Sequence, residues 1–396
     1  MKEISILLGS GFSAPDGIKT VGEINKYILS LKLEDIYIQP DMKLFVVDNF
    51  EKPVSTLHYG DELFFIELIS FYNKTVDSFN YEKFYDFVTS FNRFETYKDD
   101  LELFFAKFKK EKLKSDNPLD GIYSFMSRFV GYFNNLISIL LNSAKYYEDV
   151  TLINYENYER FAKKLKSLIE EGYVIHIHSL NHDLLFEYLA SKHVDLWQHF
   201  TDGYSEHGSE YYGRINLMQS ISKTYRVRLK RFVNVYDNNL RIYKLHGSVD
   251  TFIANIYTPN LDLTRVKKDW GVGEIEKEVE TKSGKLVYQS MYQKEYPEIL
   301  SGASSKAFWY KQPYYKELHE YFKNNLKNSV MLIVIGYGFG DDGINHEIEN
   351  EFLIDGKKMT VIDINKPNSR LFNDYKTQFI NKSISLVSED EWNTII

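Results

Sequence analysis

Short, largely apolar runs that end on glycine, asparagine or histidine recur at widely separated places in the chain. Ile4 to Leu8 runs into Gly9-Ser10-Gly11-Phe12-Ser13-Ala14, and Val174 to Ile177 leads to Ser179-Leu180-Asn181-His182-Asp183. Arg241-Ile242-Tyr243 precedes Lys244-Leu245-His246-Gly247-Ser248, and Leu332 to Ile335 runs into Gly336-Tyr337-Gly338-Phe339-Gly340. Apolar runs of this length, bounded by turn residues, predict strands buried on both faces. Strands that stop on such residues are how an open α/β sheet builds a ligand crevice at its carboxyl edge. Met359 to Ile364 predicts a further strand, and Ile384 to Val387 a last edge strand. Between these runs, Thr20 to Leu31 predicts a helix with Thr20 as N-cap and Glu23 completing a capping box. Helices are also predicted to begin at Asp183 and to span Lys316 to Leu326.

The pattern changes between about Glu62 and Glu170. Phe64-Phe65-Ile66, Leu68-Ile69, Phe84, Phe87-Val88, Phe91, Leu101, Phe104-Phe105, Phe108, Phe125, Phe129, Phe133, Ile137 and Leu140 recur at helical spacing. A final helix over Tyr155 to Glu170 carries Phe161, Leu165 and Leu168 on one face. The expected architecture is therefore α/β, a Rossmann-like parallel sheet with a large all-α insertion. The nucleotide-binding domain is expected over residues 1–55 and 171–396, and the insertion over 56–170. The aromatic stripes of the insertion read first as core packing. An extended piece is expected around Leu44 to Val47, and the polar stretch from Thr251 to Pro297 reads as a loop or small insertion.

Composition removes several classes of chemistry. None of the 396 residues is cysteine, so disulfides, thiolate zinc sites and cysteine nucleophiles are excluded. A net charge of −8 argues against direct nucleic-acid binding. No apolar stretch approaches the roughly 18 residues that span a bilayer, and five apolar residues before Gly9 are too few for a signal-peptide core, so a soluble cytoplasmic protein is expected.

The four turns carry the candidate chemistry. A strand, Gly-x-Gly-x-x-Ala and a helix form the dinucleotide-binding arrangement, in which Gly9 permits the tight turn and Gly11 a close approach to a pyrophosphate. The helix start then offers N–H groups to the negative charge. A purely structural turn is the competing reading. At the second turn, His176, His178, His182 and Asp183 are one possible metal set, because residues two apart on a strand share a face. The other reading turns Asn181 and Asp183 into the crevice, where an amide positions a water or a ribose hydroxyl; Asp183 also suits a helix N-cap. His246, at a strand end beside Gly247, is the natural proton acceptor near neutral pH. The alternating glycines 336, 338 and 340 imply backbone freedom or close ligand approach, with Asn345 a turn later. The strand through Val361-Ile362 ends in Asp363-Ile364-Asn365, placed to meet adenosine ribose hydroxyls.

Taken together, these residues resemble the sirtuin superfamily and, more closely, its bacterial antiphage-defence branch. Sirtuins carry a Gly-Ala-Gly-x-Ser turn, a Gln-Asn-x-Asp element, a His-Gly pair and a later glycine turn. These resemble Gly9 to Ser13, Leu180 to Asp183, His246-Gly247 and Gly336 to Gly338. The defence branch shows Gly-x-Gly-Phe-Ser, Leu-His-Gly-Ser and Ile-Gly-Tyr-x-Phe-Gly-Asp followed by Ile-Asn. This chain has Gly11-Phe12-Ser13, Leu245 to Ser248, and Ile335 to Asp341 with Ile344-Asn345. The likeness covers the α/β residues and does not extend to the helical insertion. Leu180 stands where deacylating sirtuins carry glutamine, and their four-cysteine zinc ribbon and the arginine after the first turn are missing from the sequence.

The resemblance implies an NAD+ hydrolase that cleaves the nicotinamide–ribose bond with water, using NAD as substrate and no zinc. Asn181, His246 and Asp183 are the implied catalytic residues. Gly9, Ser10, Gly11, Phe12 and Ser13 are expected to hold the pyrophosphate, and Gly336, Tyr337, Gly338, Phe339 and Asn365 the adenosine end. It further implies depletion of cellular NAD in abortive infection, gated by homo-oligomerisation or by a HerA-type ATPase partner. A catalytically silent NAD or ADP-ribose sensor and a zinc-free protein deacylase are the alternatives.

Overall fold

A computed structural model describes residues 2–39, 44–46, 58–90, 98–113, 121–141, 154–217, 223–254, 264–269, 272–291, 296–299 and 312–395. The chain divides into two compact units. One comprises Met1–Ile18, Asn142–Ile299 and Gln312–Ile396; the other comprises Lys19–Leu141 and Leu300–Lys311.

Strands are numbered β1 to β17 in chain order. The main sheet of the first unit holds β1 (Lys2–Leu8), β4 (Tyr173–Ser179), β5 (Phe200–Thr201), β10 (Leu240–Lys244), β15 (Met331–Ile335), β16 (Lys358–Asp363) and β17 (Thr377–Asn381). Its spatial order is β17-β16-β15-β1-β4-β10-β5, and every neighbouring pair is parallel. Counting only the six longer strands in chain order, the sheet reads 3-2-1-4-5-6 from β10 to β17, the doubly wound Rossmann-like order, with its switch point between β1 and β15. The apolar runs form these strands because helices cover both faces. Ile4, Ile6, Leu7 and Leu8 on β1 and Leu332, Ile333 and Val334 on β15 are all at most 1% exposed.

The connection from β1 to β4 contains nearly all of the second unit. That unit is mainly helical: Val21–Ser30, Tyr59–Thr75, Tyr81–Ser90, Lys98–Phe108 and Ile122–Leu141, with a hairpin of β2 (Ile36–Ile38) and β3 (Leu44–Val46). The capping box forms as expected, Glu23 N–H donating to Thr20 Oγ1 and Thr20 N–H to Glu23 Oε2. The aromatic stripes pack on each other, with Phe65 stacked on Phe129 at 4.8 Å and Phe64 against Phe125 at 5.0 Å. Inside this core Asp61 is buried, held by Arg128 at 2.7 Å and by the Tyr132 hydroxyl at 3.1 Å.

The helix Glu159–Glu170, grouped with the insertion on sequence grounds, lies in the first unit, preceded by a short turn Tyr155–Tyr158. Its Phe161 rests on Trp392 and Phe12. The stretch from Thr251, expected to be a loop or small insertion, contains β11 (Thr251–Ala254), β12 (Thr264–Lys267), β13 (Ile275–Glu280) and β14 (Leu286–Ser290). With β6 (Tyr204–Ser205), β7 (Tyr211–Leu217), β8 (Lys223–Arg228) and β9 (Lys230–Phe232) they form two antiparallel sheets, β11-β12-β9-β6 and β14-β13-β7-β8. β13 and β14 escape a hydropathy reading because neither has an apolar run: β13 alternates charge with Ile275 and Val279 and buries only its first two residues, and β14 is almost wholly exposed. The last edge strand is β17, not Ile384 to Val387, which begins with a short 3-10 turn and buries Ile384 and Val387. Val47 lies outside the described residues, as do 255–263, 270–271 and 292–295 of the stretch from Thr251 to Pro297. Among the described residues no helix is long and apolar enough to cross a membrane.

Among the described residues, five histidines are buried in the first unit: His176, His178, His182, His246 and His319. Burial holds His176 and His319 down at about 3 and His178 well below the ordinary imidazole value. His178 packs between Tyr243 and Phe322 at 5.1 and 4.8 Å. A histidine depressed in the folded state contributes stability that is present above the unfolded pKa, near 6.5, and lost as pH falls below it. In chemical denaturation, His178→Leu should therefore gain on the wild type by about 1.4 kcal/mol per pH unit between roughly pH 6 and 4. A difference that does not change with pH would contradict the neutral, buried state of His178.

Candidate active site

Strand register brings the four motif turns to one edge. Leu8 pairs with Ile335 on one side and Ser179 on the other, and Ser179 pairs with Lys244. Backbone bonds continue past the strand ends: Gly9 N–H to Ile335 O at 2.9 Å, Leu180 N–H to Leu8 O at 2.9 Å, and Leu245 N–H to Ser179 O at 3.0 Å. The turns thus leave the sheet side by side, over the switch point.

The first and last turns interlock. Gly11 N–H donates to Gly336 O at 2.9 Å. A Cβ on Gly9 would lie 2.5 Å from Gly336 O, and one on Gly336, at φ +64°, would lie 2.3 Å from Phe12 N. The close approach that Gly9 and Gly11 permit is thus to the Gly336 turn. Helix Ser10–Ser13 is a single turn that continues as Ala14–Asp16. Ser10 is half-buried, while Phe12 is in the core, its ring against Tyr158, Phe161 and Phe186 and its carbonyl accepting from Tyr158 Oη at 2.9 Å.

Asn181 is tied to that turn. Its Nδ2 donates to Gly9 O at 2.9 Å and to Ser13 Oγ at 3.1 Å, so its Oδ1 is the polar end left for another group. Asp183 is buried, and its Oδ1 accepts from Leu185 N–H at 3.0 Å, at the start of helix Leu185–Lys192. Burial pushes its carboxyl up, against the pull of Lys244 and a hydrogen bond with Ser13. Lys244 Nζ donates to the Asp183 carbonyl and lies 3.5 Å from Glu187.

His246 is 4% exposed, and its Nε2 lies 3.3 Å from Asp341 Oδ2. Its ring is 6.3 Å from that of His182. Gly247, at φ +84°, has no room for a Cβ, which would sit 2.2 Å from Glu298 O. In the last turn Tyr337 and Phe339 are buried, their rings 5.0 Å apart, while Gly338 and Gly340 are exposed. Tyr337 Oη donates to Asp341 O and accepts from Asp341 N–H. Phe339 sits at φ 57°, a left-handed conformation uncommon for a bulky residue, and its carbonyl accepts from Asn345 Nδ2 at 2.9 Å. Asn365 is exposed beyond β16, its N–H bonded to Asp363 Oδ1 at 2.8 Å.

The edge therefore brings together Asn181, Ser13, Asp183 and Gly9 through direct hydrogen bonds, and joins His246 to the last turn through Asp341. Asn365 makes no bond to this group. His176 and His178 of the metal reading point into the core, where His176 meets Glu3 at 3.1 Å. Among the described residues no three His, Cys, Asp or Glu side chains are placed to hold a metal. Asp341 carried no assigned role on sequence grounds, and His182 was named only in the metal reading. For Asp341 the legible signal was an aspartate opening a helix directly after a glycine turn.

The strand order defines an α/β protein of the doubly wound, Rossmann-like class. No protein-family model and no curated protein matches the chain. Among solved structures it is similar to a Sir2 homologue in complex with NAD, with 10% identity, a TM-score of 0.40 and coverage of 100% of this chain and 89% of the other. It is also similar to a Sir2 homologue mutant in complex with ADP-ribose, with 9% identity, a TM-score of 0.41 and coverage of 100% and 92%.

The interlock is testable by substitution. Gly336→Ala should cost at least about 2 kcal/mol, since a strained left-handed residue and a clash with backbone combine. Gly338→Ala, which meets nothing within 4 Å, should change stability by less than about 1 kcal/mol. Equal melting temperatures for the two variants would contradict the packing of the turns.

Proposed function

We propose that this chain is a sirtuin-like NAD+ hydrolase acting at the carboxyl edge of its parallel sheet. The observation that carries the proposal is the convergence of the four resembling motifs at adjacent strand ends, with Asn181 tethered to the first glycine turn and His246 beside the last. The switch point of a doubly wound sheet is where such folds take nucleotides.

In this reading the Asn181 carbonyl oxygen orients a ribose hydroxyl or the attacking water, and His246 accepts the proton released. The bond between the anomeric carbon and the nicotinamide nitrogen breaks, its electron pair leaves with neutral nicotinamide, and an oxocarbenium-like ribosyl centre remains. Water adds to that centre and loses a proton, so NAD+ and water give ADP-ribose, nicotinamide and a proton. Asp183, buried and linked to Ser13, holds the Asn181 turn in place. The first turn takes the pyrophosphate, and the Gly336 to Phe339 turn and Asn365 take the adenosine end.

The defence-branch resemblance extends the proposal to biology. NAD consumption is toxic unless gated, so the enzyme is proposed to act in the cytoplasm during abortive infection, as a homo-oligomer or with a HerA-type ATPase. No zinc is required, and a protein deacylase role is not favoured because the chain lacks cysteine.

Incubation of the purified protein, alone and with a candidate ATPase partner, with NAD+ tests the reaction. Nicotinamide and ADP-ribose should appear, and Asn181→Ala or His246→Ala should slow release by roughly 10²–10⁴-fold with the fold retained. Wild-type binding of NAD+ without release under both conditions would make the protein a sensor. Undiminished release by His246→Ala would remove the proposed role of the imidazole.

A further inference from the structure

The carboxylate beside His246 is built into the fold with unusual care for a chance neighbour. Asp341 opens the helix Asp342–Glu351, and its Oδ1 accepts from the N–H groups of Gly343 at 3.0 Å and Ile344 at 3.2 Å. Its backbone is clamped by the Tyr337 hydroxyl, which donates to its carbonyl and accepts from its N–H. One carboxylate oxygen is thus spent on the helix, and Oδ2 faces His246 Nε2 at 3.3 Å. Both side chains are largely shielded from water, 5% exposed for His246 and 15% for Asp341.

We propose that Asp341 is the positioning residue for His246: its Oδ2 accepts from Nε2–H, fixes the imidazole tautomer and leaves Nδ1 as the ring's basic nitrogen. The catalytic part of this assignment rests on the reading of His246 as the proton acceptor; the tautomer and the titration do not. When Nδ1 takes a proton from a ribose hydroxyl or from water, the ring becomes an imidazolium beside an existing carboxylate. The new charge is compensated without movement. Among the described residues, titratable groups near the ring include His182, whose ring is 6.3 Å away, and His319. His319 is held neutral by burial, with its value down at about 3, and so adds no competing positive charge near pH 7. Lys323 acts on His319 from the same helix and lies at Glu347 and Glu320.

The test is nuclear magnetic resonance of the histidine rings in the full chain, with His246 identified by the signal lost in His246→Gln. In the wild type, proton–nitrogen correlation should show the Nε2–H tautomer; an Nδ1–H tautomer would overturn the proposal, and this measurement needs no change at Asp341. In Asp341→Asn, which can still cap the helix, the His246 pKa should fall by about one unit or more, because a carboxylate stabilises the imidazolium. An unchanged pKa in the folded variant would equally overturn it. The enzymatic arm uses the pH profile of nicotinamide release. Asp341→Asn should move the acid limb to lower pH and lower kcat by about 10-fold or more with KM within about twofold, and Asp341→Glu should restore part of kcat. A wild type with no turnover would count against the proposed reaction, while the ring tautomer and titration would still decide the role of Asp341.

Discussion

One backbone contact holds the candidate site together. The turn after β1 and the turn after β15 touch at the switch point, Gly11 N–H on Gly336 O, with no space for a side chain at Gly9, Gly11 or Gly336. The polar groups are arranged from this contact. Gly9 O receives the Asn181 amide, and the chain from Gly336 leads through Tyr337 to Asp341 and so to His246. Loops alone position groups poorly; here they are stitched to one another and to the ends of a rigid sheet. That is the kind of support a reacting geometry requires.

Below the edge, charge is buried in pairs. Lys244, which ends β10 two residues before His246, is shared between the Asp183 carbonyl and Glu187, and Lys267 sits 2.8 Å from Asp202 and 3.3 Å from Asp250. Burial pushes the Glu187 carboxyl up; for Asp250 burial is the largest influence and acts the same way, but Lys267, a hydrogen bond with Ser248 and Lys244 together make the net shift downward. Removing one member of such a set leaves an uncompensated buried charge, at a cost of about 3–5 kcal/mol. The same low-dielectric surroundings keep His176, His178 and His319 neutral.

Much of the main sheet was legible in the sequence because its central strands are buried on both faces and so read as apolar runs. Ile4 to Leu8 and Leu332 to Ile335 are examples. The capping box at Thr20 and Glu23 was legible because its spacing is local. The antiparallel sheets were not. β14, with the pattern Leu-Val-Tyr-Gln-Ser, is exposed along its length, so no period of burial marks it. The four motif turns could be named from sequence, since strand ends at glycine, asparagine and histidine are themselves a signal. Their interlock could not: a glycine excluded by a neighbouring loop looks the same in sequence as a glycine excluded by a ligand. The Asp341 contact with His246 was hidden for a similar reason, being a pairing between residues almost a hundred positions apart that only the fold brings together.

The central claim is that Asn181 and His246 serve one ligand at the edge between β1 and its neighbours. A crystal structure of the protein with ADP-ribose tests it most directly. The account predicts the ribose that carried nicotinamide within about 3.5 Å of both the Asn181 amide oxygen and the His246 ring, with the pyrophosphate over the first turn. A ligand bound elsewhere, or a ribose reached by only one of the two side chains, would contradict it.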